Sequence, residues 1–263
     1  MAEVPQLLVK HESPIGRLVI SNVSRRNAGT NDMLLAFAPA LDVLVADPDI
    51  RVLLLEGDGG EAFMSGMDIG EFSARMAQPD AVRTVETSLL QAFGALCRCP
   101  KPVIAAIRGY CLGGGLALAL SCDMRISSED ARFGIPAVKL GAGVAADVFV
   151  KLRELIGPAF AKEIAMTGRH FPAVEALRMG LVNSVVPKAD LADAVHRLAR
   201  AIADAAPLAI SAVKLMDRDL DRDPSERSRE SWERAVAACY ASEDFKEGCR
   251  AFQEKRAPVF RGI

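Results

Sequence analysis

Two short apolar runs that end in glycine restrict this chain more than anything else in it. Arg51-Val52-Leu53-Leu54-Leu55-Glu56 leads into Gly57-Asp58-Gly59-Gly60, and Pro102-Val103-Ile104-Ala105-Ala106-Ile107 leads toward Gly113-Gly114-Gly115. Runs that are apolar at every position, rather than at alternate ones, read as strands covered on both faces, as in parallel sheets sandwiched by helices. Gly113 to Ser121 reads as a helix entered through glycine, and a helix near residues 80–97 stops before Pro100. Met124-Arg125-Ile126-Ser127 is a third short strand. Strand, glycine turn and helix thus recur through the first 150 residues, which predicts an α/β core with parallel strands.

Around this core, residues 6–21 alternate in strand fashion about Ser13-Pro14-Ile15-Gly16 and predict a hairpin. Asn31 or Asp32 is expected to cap a helix carrying Leu34, Leu35, Ala38, Leu41 and Val45. After Ala146 the pattern is mostly helical, with Pro158, Pro172, Pro207 and Pro224 each placed for a first turn and Leu181–Val186 as one more strand. A composition shift near residue 200 divides the chain into a core, 1–200, and a helical subdomain, 201–263, rich in alanine and charge.

With 263 residues the chain can bury a sizeable core. A net charge of −2 argues against a nucleic-acid footprint, and no apolar run is long enough for a membrane span. The first residues, Met1-Ala2-Glu3-Val4-Pro5, have neither a basic start nor an apolar signal core, so a cytoplasmic protein is expected. Six scattered cysteines, with Cys97-Arg98-Cys99 the only close pair, predict reduced thiols and no metal site.

The glycine segments carry the chemistry. Where a strand turns sharply into a helix, backbone N–H groups are left without partners. Two such corners aimed at one point could hold a carbonyl oxygen as it becomes negative. Each corner taken alone is also an ordinary tight turn. A phosphate-binding loop is excluded, because Leu116 and Ala117 stand where Lys-Ser/Thr would be required. Gly141-Ala142-Gly143-Val144-Ala145-Ala146 fits the dinucleotide pattern, but the segment before it contains Pro136 and Lys139 and makes a poor central strand.

Phe63-Met64-Ser65-Gly66-Met67-Asp68-Ile69, Gly109 to Ala117, and Ala131 to Ala137 together resemble the enoyl-CoA hydratase/isomerase (crotonase) family. Further matches cover nearly the whole chain: Asn22 and Asn27-Ala28, Cys122 to Arg125, Thr167-Gly168, Gly180 to Asn183, and Ala251 to Arg256. The resemblance implies a right-handed spiral of ββα units, a C-terminal helical trimerisation region, and assembly as a homotrimer or dimer of trimers. It implies an acyl-CoA substrate, with CoA part of the substrate and no separate cofactor. By resemblance the amides of Met67 and Gly114 form the oxyanion hole. Ala28, Asp68 and Ile69 then line the CoA path, and Phe252 and Lys255 reach the CoA of a neighbouring subunit.

The departures matter as much. Ala117 and Ala137 stand where the family's hydratases carry the glutamates that move protons, and alanine has no proton to exchange. Asp147 is the best local replacement as base or nucleophile; its alternative role is to cap the helix from Val148 to Leu155. Glu71 could reach the pocket or stabilise its own helix, and Arg25 and Arg26 could meet CoA phosphates. Three functions stay open: an enolate-forming acyl-CoA enzyme, a non-catalytic CoA-binding protein, and a nucleotide-dependent oxidoreductase.

Overall fold

The computed structural model describes residues 4–76 and 81–263. The first hairpin is as expected: β1 (Gln6–Glu12) pairs antiparallel with β2 (Ile15–Ser21). Helices α1 (Asn31–Leu35) and α2 (Phe37–Ala46) follow. The cap of α1 is neither Asn31 nor Asp32. It is Thr30, whose extended backbone lets its hydroxyl accept the Met33 N–H at 3.3 Å, while Asn31 is already helical.

β3 (Val52–Gly57) and β4 (Ala62–Met64) lead into α3 (Ile69–Met76) and α4 (Ala81–Cys97). The expected start of that last helix, at residue 80, lies outside the described residues. β5 (Val103–Ile107) and β6 (Tyr110–Leu112) then lead into α5 (Gly114–Leu120), and β7 (Met124–Ser128) and β8 (Arg132–Gly134) lead into α6 (Ala146–Thr167). The kink in α6 is at Gly157 (φ 76°), so its second half starts at Pro158.

β9 (Phe171–Pro172), α7 (Ala173–Met179), β10 (Ser184–Val186) and α8 (Leu191–Ala203) complete the core. The strand expected over 181–186 thus occupies only its last three residues. The arm is α9 (Pro207–Leu220), α10 (Arg229–Ala241) and α11 (Glu243–Glu254).

Each turn of the chain places its first strand in one sheet and its second in another. The six-stranded sheet has the order β1-β2-β3-β5-β7-β10, and the four-stranded sheet β4-β6-β8-β9. All neighbours pair in parallel except β1–β2 and β8–β9. This is the expected spiral of ββα units.

The apolar runs are explained by two cores, one on each face of the larger sheet. Leu53, Leu55, Val103, Ala105 and Ile107 face the main core, shared with the smaller sheet and α1, α2, α4, α5 and α6. Val52, Leu54, Ile104 and Ala106 face a second core closed by Leu191, Val195, Ala199 and Ala203 of α8. Because α8 seats on the sheet through Ala203, the helical segment predicted over 201–263 begins in its last turn.

Candidate active site

Two chain segments meet where the smaller sheet gives way to α3 and α5. The first, Gly66-Met67-Asp68, forms a parallel bridge with Gly29: the Gly29 N–H donates to Gly66 O at 2.8 Å, and the Asp68 N–H donates to Gly29 O at 2.9 Å. In such a bridge the central residue is flanked by the bonded groups, and its own N–H points to the opposite side. The Met67 amide therefore faces away from Gly29.

The second segment is Leu112-Gly113-Gly114. Gly113 has φ 51° and ψ −115°, a conformation open to glycine, and its N–H is taken by Gly134 O at 2.9 Å. Gly114 is the first helical residue, so its N–H has no carbonyl within the helix to bond.

The two segments touch. A Cβ on Gly113 would lie 3.9 Å from Gly66 Cα, and one on Gly114 would lie 3.3 Å from Met67 Sδ. The tightest point is Gly115, where a Cβ would stand 2.2 Å from Met64 O. Gly115 is required by this close approach of backbones, and Gly113 by its positive φ. The structure thus brings Met67 and Gly114 together at one corner.

A hydrogen-bonded loop supports that corner. Asn27, buried and in the left-handed region at φ 56°, donates from Nδ2 to Asp58 O and Ala62 O and accepts the Asn22 N–H at Oδ1. Asn22 donates in turn to Ala28 O at 2.8 Å. Ala28 is held buried beside Gly29.

Asp68 accepts the Glu71 N–H at 3.1 Å and the Arg25 guanidinium at 2.7 Å. The Glu71 amide, and after it Arg25, hold the Asp68 carboxyl below the usual carboxylate range against the opposing effect of burial. Arg25 is thereby engaged with Asp68, and Arg26 lies over the Tyr110 ring at 5.1 Å. Ile69 is 60% exposed at the mouth of the corner. Glu71 meets the Asn31 N–H at the start of α1, at 3.3 Å.

Ala117 sits one helical turn beyond Gly114 and is fully buried, its N–H bonded to Gly113 O. Ala137 follows Gly134 and packs part-buried against the main core with Val144, Ala145 and Phe149. Asp147 is exposed in the first turn of α6. The cap of that helix is Ala145, and no side chain caps it, so the capping role considered for Asp147 is not realised. Cys111 is buried, and burial pushes its thiol up, away from the thiolate. Gly141 follows a 3-10 turn, Pro136–Leu140, so no strand leads into the dinucleotide-like motif.

Phe252 and Lys255 lie far along the chain at the end of α11. Phe252 is 86% exposed, and Lys255 adopts φ 54°.

Two polar residues brace the core behind the corner: Arg125, which sequence reasoning missed, and Asp123, which it reads as structural. Arg125, 4% exposed, donates from Nε to Leu181 O and from Nη1 to Ala119 O and Cys122 O, fixing the far end of α5. Asp123 accepts the Val103 N–H and both short bonds of the buried Lys214 Nζ, at 2.6 and 2.8 Å. A lone arginine inside a strand facing apolar neighbours was the available signal for Arg125. A cavity of about 710 Å³ lies on this far side, against Leu120, Lys151, Ile202 and Val213, and none of the predicted site residues lines it. Among the described residues, no cluster of His, Cys, Asp or Glu is arranged to hold a metal ion, and no helix is long and apolar enough to cross a membrane.

The comparisons identify the family and the fold. The sequence profile of the enoyl-CoA hydratase/isomerase family matches residues 11–262. A carnitinyl-CoA dehydratase from Salmonella typhi is 38% identical over 220 residues, 82% of this chain and 83% of the relative. Among solved structures, an enoyl-CoA hydratase/isomerase family protein from Hyphomonas neptunium has a TM-score of 0.92 at 35% identity, covering 98% of this chain and 97% of its own. An enoyl-CoA hydratase/carnithine racemase from Magnetospirillum magneticum has a TM-score of 0.91 at 35% identity, covering 99% and 97%. The chain belongs to the enoyl-CoA hydratase/isomerase family, whose members are enzymes acting on acyl-CoA substrates.

Proposed function

We propose that this chain binds an acyl-CoA thioester with its carbonyl oxygen between the amides of Met67 and Gly114, and that these two donors stabilise an enolate. The observation that carries the reading is the orientation of the Gly29–Met67 bridge. It turns the Met67 N–H away from its own sheet partner, beside the segment that presents Gly114. Loss of one such donor typically costs about 10²–10³ in rate.

The reaction is not simple enoyl hydration. Ala117 and Ala137 supply neither an acid for the α-carbon nor a base for water, and general acid/base groups typically contribute 10²–10⁴-fold. Asp147 is the proton carrier proposed in their place. Its exposure in the first turn of α6 leaves it able to meet a bound acyl group. Ala28, Asp68 and Ile69 line the CoA path in this reading, and Phe252 and Lys255 complete it from a neighbouring copy in a trimer or dimer of trimers. The exposure of Phe252 favours that assembly, since a lone copy leaves a large aromatic ring in water.

A panel of acyl-CoA thioesters followed by mass spectrometry, with calorimetry on acetyl-CoA and crotonyl-CoA, tests the reading. The expected result is binding of CoA thioesters, little hydration of crotonyl-CoA, and turnover of another acyl-CoA that Asp147→Asn abolishes. Absence of binding at millimolar ligand overturns the ligand assignment. Robust hydration that survives Asp147→Asn overturns the assignment of the proton carrier. Binding without turnover of any thioester supports the second reading, a non-catalytic CoA-binding protein, which the loss of both glutamates favours.

A further inference from the structure

We infer that residues 256–263 form a strap whose function is to fix Lys255 for contact with the phosphate end of CoA, with Arg51, Asp244 and Glu247 as positioning residues. This rests on the CoA reading above.

The strap begins at a strained turn. Lys255 closes α11 at φ 54°, ψ 40°, the left-handed region where glycine is usual and a lysine is costly. The Lys255 N–H bonds Phe252 O and the Arg256 N–H bonds Ala251 O. A non-glycine residue persists in such a conformation only where its surroundings over-determine it.

The surroundings do so through one folded-back segment. Arg256 pairs with Glu247 through two nitrogens, at 2.6 and 3.0 Å, and with Glu254 at 2.6 Å. The Val259 N–H donates to Glu247 at 3.1 Å. The Phe260 ring lies against Gly248, where a Cβ would stand 3.5 Å from Cε1. Asp244, 3% exposed, accepts the Arg261 and Gly262 N–H groups at 2.7 and 2.8 Å, and the Glu243 N–H donates to Ile263 O at 2.8 Å.

Finally Arg51, at the start of β3, ties the strap to the core. Its Nη2 donates to Phe260 O at 2.7 Å and its Nη1 to Ala203 O at 2.9 Å. The links made by Arg51, Asp244, Glu247 and Arg256 each join a charged side chain to backbone or to an opposite charge, so these are directional. Within the turn Lys255 is the one charged residue with no ion-pair partner among the described residues, and its side chain is exposed; Arg261, further along the strap, is likewise exposed without one. The geometry holds a cation in place for something outside this copy.

The test combines amide hydrogen exchange with ligand binding on the full chain. Arg51→Met, Asp244→Asn and Glu247→Gln are each expected to speed exchange of the Lys255 and Arg256 amides at least tenfold, with far-ultraviolet circular dichroism unchanged. The binding probes are CoA and S-acetylpantetheine, which lacks the nucleotide phosphates. Lys255→Ala is expected to weaken CoA about tenfold and leave S-acetylpantetheine unchanged. The strap variants are expected to reproduce that selective loss at about 3–10-fold, with Arg51→Lys recovering part of it.

Unchanged exchange in the strap variants overturns the clamp. Equal weakening of both probes overturns the selective role of Lys255 and leaves only a general structural one. If the native chain binds neither probe, the CoA reading fails, and the exchange data still decide whether the strap holds the turn.

Discussion

Around Gly115 backbone meets backbone: a carbonyl of Met64 stands where a side chain would otherwise begin. From Pro207 onward the chain is held differently. No residue of α10 is buried, Tyr240 and Phe252 are largely exposed, and the polar ties to the core are side chains reaching for carbonyls or single opposite charges. The difference is one of tolerance. A corner formed by touching backbones can be spoiled by one methyl group and is insensitive to salt. An arm held by directional polar bonds tolerates substitution at most positions and fails at a few. The same difference separates the proposed donors, which belong to the main chain, from proton carriers, which are side chains and can be lost one codon at a time.

The largest effect expected from this comparison is at the corner. Gly115→Ala places a Cβ 2.2 Å from a carbonyl oxygen that belongs to a buried strand and cannot retreat. A loss of about 3 kcal/mol or more is expected, read as a drop in the denaturation midpoint or in soluble yield. A midpoint within 1 °C of the native value would show that the sheet yields, and the contrast with the arm would disappear.

Next is the ion pair that joins the arm to the core, with Lys214 buried. Lys214→Met leaves Asp123 with the Val103 N–H alone and without its cation. A cost of about 3 kcal/mol is expected, the usual result of stranding one partner of a buried pair. Asp123→Asn in addition to Lys214→Met should recover at least half, because the stranded charge is then removed. Failure of the double variant to recover would mean that the amide of Val103, rather than the charge pair, dominates.

A smaller effect is expected at Asp68, where Asp68→Asn weakens the link to the Glu71 amide and to Arg25 and should cost about 1 kcal/mol at pH 7. The folded carboxyl titrates below its unfolded value near about 3.9. Its contribution is therefore present above that pH and is lost as pH falls through the folded pKa. Native and variant midpoints should converge on acidification below about pH 4; a difference that stays constant down to pH 2 would remove the carboxylate from the account.

Least is expected at Arg229, which pairs with Glu233 on the open face of α10 with both side chains largely exposed. Arg229→Ala should leave the midpoint unchanged, since such pairs contribute little against solvent screening. A clear loss would show that the face of α10 is covered in the assembled protein.

The same contrast governs what the sequence disclosed. Strands β3 and β5 were legible because burial on both faces leaves no room for a polar position. The glycine turns were legible because glycines leave a visible mark, but the pairing of Met67 with Gly114 came from the family resemblance and not from spacing. The cap at Thr30 was misplaced by one or two residues, since Thr, Asn and Asp stand in a row and only the backbone angles decide which of them is extended. Asp147 was considered as a cap for a helix from Val148, yet the helix starts two residues earlier, at Ala146. The strap was not legible at all. Asp244 and Glu247 look like ordinary acids on a charged helix, and the amides they accept come from residues with no pattern of their own.

Arg51 and Phe260 stand 209 residues apart, yet one hydrogen bond joins them. During synthesis the sheet position that carries Arg51 leaves the ribosome long before its acceptor exists. The arginine's bond to Ala203 O can form with the core, but the bond to Phe260 O cannot close before residue 260 has emerged. A link of such span makes the arm's docking a late event in time.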